Sequence, residues 1–243
     1  MSLKFSAFYH SEAGLRRQNE DAVGMVIPEE PELSRRGMIA AIADGVSGGT
    51  RGREAADSSV QALLRDYYDT PPDLPIPQAL DNVIKASNAR IIQRDFADTE
   101  KTVSATTLTA LVLKENFYYF SHVGDTRLYR LRGDELEQIT IDHVSDQPEK
   151  KHLLTRAVGL SSDLLIDHGS GELENGDIFL LATDGVWSAL PEHELSWHLS
   201  ELVDNKRSAE GTARLLIDAA LAGGSTDNLS VLVVRADLLP NGP

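Results

Sequence analysis

Four aspartates stand where apolar segments begin or end. Asp44 follows "MIAAIA" (38–43), six apolar residues in a row, and Asp184 follows "IFLLAT" (178–183). Asp21 directly precedes "AVGMVI" (22–27), and Asp227 sits in "GGSTDNLSVLVV" (223–234) just ahead of another apolar run. Taken singly, each Asp-Gly pair (44–45, 184–185) is most simply a two-residue hairpin turn. Four aspartates at four strand boundaries can instead converge on one rim if their strands share a pair of sheets. Converging carboxylates repel unless cations lie between them. Short oxygen ligands with no cysteine among them favour hard octahedral ions, Mg²⁺ or Mn²⁺. The seven histidines, His10, His122, His143, His152, His168, His193 and His198, form no His-x-x-x-His pair and give no support to zinc.

Composition narrows the alternatives. The 243 residues suffice for a sizeable core, and 23 basic against 38 acidic residues leave a net charge of −15. That field repels nucleic acid and anionic membranes, and it admits an anionic substrate only where arginines or bound cations reverse the local sign. With no cysteine, disulfides, thiolate zinc sites and a cysteine nucleophile are excluded. The glycine-rich segment after Asp44 matches neither nucleotide-binding glycine pattern. No apolar run approaches the roughly 18 residues of a membrane span, and "MSLKFSAFYH" is no signal peptide, so a cytoplasmic protein is expected.

The elements that would position the aspartates are read from periodicity. Strands are expected at "LKFSAFYH", "AVGMVI", "MIAAIA" and "DIFLLA", with "LSVLVVRA" closing the chain. Helices are expected from Thr50 to Tyr68, then beyond the prolines of "TPPDLPIP" (70–77) with Leu80, Val83, Ile84, Ile91 and Ile92 inward, and from Ser208 as N-cap to Gly223-Gly224. After Ser104 the strands "ATTLTALVL", "NFYYFSHV", "RLYRLR" and "LEQITI" read as antiparallel hairpins from their short connections. Blocks of helices and meanders without a βαβ rhythm indicate α+β, two packed sheets with helices outside. No linker is evident, so residues 1–243 are read as one domain.

Taken in order, "RRQNED" (16–21), "ADGVSGG" (43–49), "SATT" (104–107), "VGDTRLYRLR" (123–132), "LEQITIDH" (136–143), "LTRAVG" (154–159), "LATDGVW" (181–187) and "STDNLSVLVV" (225–234) resemble the successive motifs of the type 2C metal-dependent serine/threonine protein phosphatases. Several phrases are similar to the phosphatase half of bacterial kinase–phosphatase fusions. The resemblance implies a four-layer α/β/β/α sandwich with two central antiparallel sheets. It also implies hydrolysis of phosphoserine and phosphothreonine by attack of a hydroxide bridging two Mn²⁺ or Mg²⁺ ions. Asp44 would bridge both ions and Gly45 would bind through its carbonyl; Asp184 and Asp227 would hold one ion; Asp21, with Glu20 through water, would hold the other. Arg16 would grip the phosphate, and Asp125 matches the position that helps hold a weaker third ion in bacterial members. Asn228 is read as orienting the Asp227 turn and Arg127 as pairing with an acid. Phosphorylated proteins and a cognate Ser/Thr kinase are the implied partners, with the enzyme a monomer and neither nucleic acid nor membrane involved.

Asp44-Gly45 then carries both readings, the turn and the ligand. Asp44-Gly45 is expected to be a tight turn that presents a carboxylate and a carbonyl on one face, glycine allowing close backbone approach. Departures from the family pattern concern the rest of the reaction. Val46 stands where animal members carry a histidine suited to protonate the leaving group, and "VSDQPEKKHL" (144–153) is shorter than the usual flap. Two rival readings remain, a catalytically weak phosphatase-like regulatory or binding module and a hydrolase of small phosphomonoesters. Loss of a core aspartate would favour the module, and none is lost.

Overall fold

A run of apolar residues without a polar face suits a strand covered on both sides, and β3 (Met38–Asp44) is such a strand. Ile39, Ala41 and Ala43 point to one apolar layer; Met38, Ala40 and Ile42 point to another. The computed structural model describes residues 2–46, 50–98, 103–147, 149, 153–203 and 206–239. β3 lies inside an antiparallel sheet with β2 (Asp21–Val26), β4 (Leu108–Lys114), β5 (Phe117–Val123) and β8 (Asp167–Glu172), in the order β2-β3-β4-β5-β8. The second antiparallel sheet runs β1-β10-β9-β6-β7, from β1 (Ser2–Glu12), β10 (Leu229–Leu239), β9 (Asp177–Ala182), β6 (Arg127–Arg132) and β7 (Glu135–Gln138).

Three apolar layers hold four structural ones. Between the sheets, β3 and β4 residues meet Phe179, Leu181, Leu232 and Val234. Helices α2 (Thr50–Asp66) and α3 (Ile76–Ala97) cover the outer face of the first sheet through Val60, Leu63, Leu80 and Ile84. The short α4 (Asp184–Trp187), with α5 (Glu192–Val203) and α6 (Ala209–Ala222), covers the second through Val186, Leu195, Leu199, Leu216 and Ile217. A further short helix, α1 (Glu32–Arg36), precedes β3. This is the expected α/β/β/α sandwich. β1 pairs with β10 from Ser2↔Leu239 to Glu12↔Leu229, so the two ends of the chain share one ladder. Ser208 caps α6 as expected, its side chain accepting the Gly211 N–H. Among the described residues, no helix is long and apolar enough to cross a membrane.

The structure corrects several expectations. The 123–127 connection is not a hairpin: β5 belongs to the first sheet and β6 to the second, so Gly124–Thr126 form a corner between sheets. Connection length alone does not distinguish the two. Neither Asp-Gly pair is a hairpin turn. The chain runs on from β3 through Gly45, which bridges to Thr106, and Asp184 opens α4. Gly45 is not in the left-handed region; it must be glycine because a Cβ would collide with the Gly52 backbone. The strand expected over 136–141 ends at Gln138. β8, α1 and α5 were not expected at all. Residues 47–49, His152 and parts of the short flap (148, 150–152) lie outside the described residues.

Candidate metal centre

The rim is built where the ends of the two sheets meet. Asp21 opens β2 and Asp44 closes β3, and the register sets them directly opposite each other. Asp184 follows β9, and Asp227 lies two residues before β10. Thr183 joins the sheets: its hydroxyl donates to Asp21 Oδ2 at 3.0 Å and accepts the Ser230 N–H at 3.0 Å. The "SATT" motif fixes Asp44. Thr107 Oγ1 accepts the Asp44 N–H at 2.8 Å, and the Asp44 carbonyl accepts from both Thr106 Oγ1 and the Thr107 N–H. These threonines carry no expectation from the sequence beyond their place in quoted motifs.

Asn228 fastens the loop before β2 to the Asp227 turn. Its Nδ2 donates to the Ala13 and Gln18 carbonyls, its Oδ1 accepts the Glu20 N–H, and its own N–H donates to Asp227 Oδ1. That is the orienting role expected of it. Gly185 must be glycine for contact, since a Cβ would overlap the Asn228 carbonyl. Arg16, carried on this loop, donates to Asp227 Oδ2 at 2.8 Å, while Arg17 is exposed. The Glu20 carbonyl accepts the Gly45 N–H, and its carboxylate reaches towards Gly52, where a Cβ would lie 2.9 Å from Oε2.

Electrostatics single out the same residues. Burial pushes Asp21 up to about 7, against hydrogen bonds from Ser230 and Thr183, and the charges of Asp184 and Asp227 add to the rise. Asp44 is raised well above the ordinary carboxylate range, first by burial and then by Asp21, Asp184, Asp125 and Asp227. Asp184 is raised by burial and Asp227, with Arg16 and a hydrogen bond shared with Asp44 acting against the rise. Asp125, on the corner between the sheets, is pushed up to about 7 by burial and by Asp184 and Asp142. Asp21, Asp44, Asp125, Asp184 and Asp227 therefore face one another, with Arg16 beside Asp184 and Asp227 and Arg127 beside Asp125 as nearby cations.

As they stand, these carboxylates are not closed on a common point: among the described residues, no three acidic or histidine side chains are grouped as ligands of one ion. Asp184 lies against Asp44, and Arg16 takes Asp227 at 2.8 Å. The donor set still fits hard divalent cations, because desolvated carboxylates held against one another are relieved by a cation between them. A cavity of about 260 Å³ opens beside Asp184 and Asp227, lined also by Ser188, Gly223 and Thr226. A larger one, about 640 Å³ and beside the end of α3, shares no residue with the rim. Arg127 pairs with an acid as expected, holding Asp142 through Nε and Nη2 and lying 3.5 Å above the Trp187 ring.

Comparison with known proteins points the same way. The family model described as "Protein phosphatase 2C" matches residues 9–221. The serine/threonine phosphatase stp of Listeria innocua is 26% identical over 94% of this chain and 94% of its own. Among solved structures, PppA, described as a key regulatory component of T6SS in Pseudomonas aeruginosa, superposes with a TM-score of 0.81 at 30% identity, covering 96% of this chain and 97% of that one. The catalytic domain of the serine/threonine protein phosphatase PstP, solved in complex with two manganese ions, gives 0.81 at 28% identity and covers 98% and 100%.

Proposed function

The chain belongs to the protein phosphatase 2C family, and from that premise we propose that the acidic rim is the catalytic centre of a metal-dependent serine/threonine protein phosphatase. The observation that carries the site is the set of aspartates at the sheet ends, raised by burial and by one another. When bound, two divalent ions supply an acidified water and neutralise charge on the phosphoryl group. The similarity to a phosphatase solved with two manganese ions supports Mn²⁺ or Mg²⁺ as those ions.

The chain's own residues divide the work. Asp44, central to the cluster, would bridge the ions with the Gly45 carbonyl beside it; Asp184 and Asp227 would serve one ion. Asp21, with Glu20 through water, would serve the other, and Asp125 a weaker third. Arg16 already bonds a carboxylate at the rim. A phosphate dianion has the charge and the paired oxygens to compete for that guanidinium. Val46 has no proton to give, so the departing serine or threonine oxygen takes its proton from water or leaves unassisted.

We read the enzyme as a monomer. A phosphorylated serine or threonine is made by an ATP-dependent kinase, so the reading pairs this enzyme with such a kinase in the cytoplasm. We read residues 1–243 as one domain, since β1 and β10 share a ladder. Hydrolysis of p-nitrophenyl phosphate and a phosphothreonine peptide with Mn²⁺, Mg²⁺ or chelator tests the function. Turnover of both that stops in chelator is expected; none with either metal would favour a binding module.

A further inference from the structure

The corner that carries Asp125 opens on a bare glycine, Gly124, and closes on the buried Thr126, whose hydroxyl and carbonyl both bond Thr109. Gly124 adopts φ +107°, and a Cβ there would lie 2.6 Å from Thr107 Cβ and Cγ2, so the corner packs directly on the threonine that fixes Asp44. The polar groups of Gly124 are buried and need partners. One residue supplies both. The Gly124 N–H donates to His143 Nδ1 at 3.1 Å, and the His143 N–H donates to the Gly124 carbonyl at 2.7 Å.

The bonding fixes the tautomer. Nδ1 accepts the Gly124 N–H, which puts the ring proton on Nε2; that atom donates to Asp167 Oδ2 at 3.0 Å, with Arg156 Nη1 beside it at 3.2 Å. Arg156 holds the other oxygen of Asp167 at 2.7 Å. The His143 carbonyl accepts the Thr155 N–H at 2.8 Å, binding the "LTR" segment to the same residue. Behind it, the buried His122 donates from Nε2 to the Ile141 carbonyl at 3.1 Å and keeps the 141–143 stretch in place. A second hold is independent: Trp187 Nε1 donates to the Asp125 carbonyl at 3.2 Å, and Asp142 secures the arginine stacked on that indole.

We propose that His143, oriented by Asp167, is the positioning residue that sets Asp125 at the rim. The proposal rests on the reading of Asp125 as a ligand of the weaker third ion. It assigns a task to His143 of the "LEQITIDH" motif, which none of the roles above uses. It also links the rim to the segment around Arg156, through a buried imidazole 6% exposed.

Three variants of His143 separate the contacts. His143→Asn keeps an acceptor near the Nδ1 position; His143→Gln keeps a donor near Nε2 but loses that acceptor; His143→Ala loses both. Two readouts apply: weak-site Mn²⁺ affinity by calorimetry, and hydrogen exchange of the Gly124 amide in the metal-free protein. For His143→Gln and His143→Ala, the weak site should lose about 10- to 100-fold in affinity, the usual cost of removing a group that orients a ligand. The tight sites should hold, and the Gly124 amide should exchange faster. His143→Asn should stay near wild type in both. Wild-type behaviour of His143→Gln, or His143→Asn as impaired as His143→Ala, would overturn the proposal. Should the wild-type protein bind only two ions, the ligand role of Asp125 falls, while Gly124 exchange still decides whether Nδ1 holds the corner.

Discussion

Two groups of aspartates in this molecule meet opposite fates. At the rim, Asp21, Asp44, Asp125 and Asp184 are buried against one another and raised. Away from it, Asp177, Asp142 and Asp167 are each held by an arginine. Asp177, 1% exposed, takes Arg132 through both oxygens at 2.8 and 2.7 Å, and Asp142 takes Arg127. Burial pushes Asp167 up, yet the hydrogen bonds from His143 and Arg156 outweigh it and hold it below its ordinary value. The same side chain is thus stabilising in one place and costly in the other. The fold supplies guanidinium where an acid is structural, whereas at the rim, among the described residues, Asp227 alone is hydrogen-bonded to an arginine; a site kept short of partners lowers the stability of the empty protein.

The largest expected effect is on the rim. Asp44→Asn and Asp184→Asn should each lose several orders of magnitude in kcat/KM on a phosphothreonine peptide at saturating Mn²⁺, because a neutral amide cannot hold divalent ions together. Near wild-type turnover in either would take that residue out of the centre.

Stability should move in opposite directions in the two groups. Asp177→Ala leaves Arg132 only Glu174 and the Glu172 carbonyl as partners and should cost roughly 2–4 kcal/mol by urea unfolding, less than a fully buried pair because Arg132 is partly exposed. In chelator, Asp44→Asn should raise the melting temperature, since it removes a desolvated charge from among like charges. A fall in both variants would erase the distinction drawn between the groups.

Next in size is Arg16, the rim's arginine. Arg16→Ala should bind Mn²⁺ almost normally yet lose roughly 1.5–3 kcal/mol of transition-state binding, the size of a charged hydrogen bond. Arg17→Ala, at an exposed neighbour, should be nearly silent. Equal losses in kcat/KM would remove Arg16 from phosphate binding.

The pH dependence is the gentlest test. A carboxyl whose pKa is higher folded than unfolded binds its proton more tightly in the folded state. Asp21 and Asp125 rise from 3.8 to about 7, so the stability they contribute is complete below about pH 4 and is lost as pH climbs through 7. Asp167, lowered, contributes above its unfolded pKa and loses that contribution only on strong acidification. Chelated protein should therefore unfold at higher urea at pH 5.5 than at pH 8. The reverse order would contradict the assignment of strain to the rim.

Much of this was legible in sequence, for physical reasons. Asp21, Asp44, Asp184 and Asp227 could be picked out because apolar strands stop or start at them, and a carboxylate at such a boundary needs a reason. Helices α2, α3 and α6 show in the spacing of their buried residues. α5 was equally open to that reading, with Leu195, Leu199 and Leu202 on one face, and was passed over. β8 carries no such signal: "DHGSGE" is a polar edge strand with alternate residues exposed, made a strand by pairing with β5. The corner at Gly124 was misread because a three-residue connection fits a hairpin as well as a crossing. The threonines around Asp44 and the ring of His143 sat in quoted motifs, yet their tasks depend on partners up to 63 residues away.

One titration bears most directly on the claim that this aspartate cluster is kept short of cationic partners so that divalent ions can bind. Mn²⁺ is added to chelator-stripped protein in a calorimeter, with Asp44→Asn alongside. The wild-type chain should take up two tightly bound ions, and Asp44→Asn should show weakened or lost binding of that pair. Identical stoichiometry and affinity in the two proteins would contradict the account.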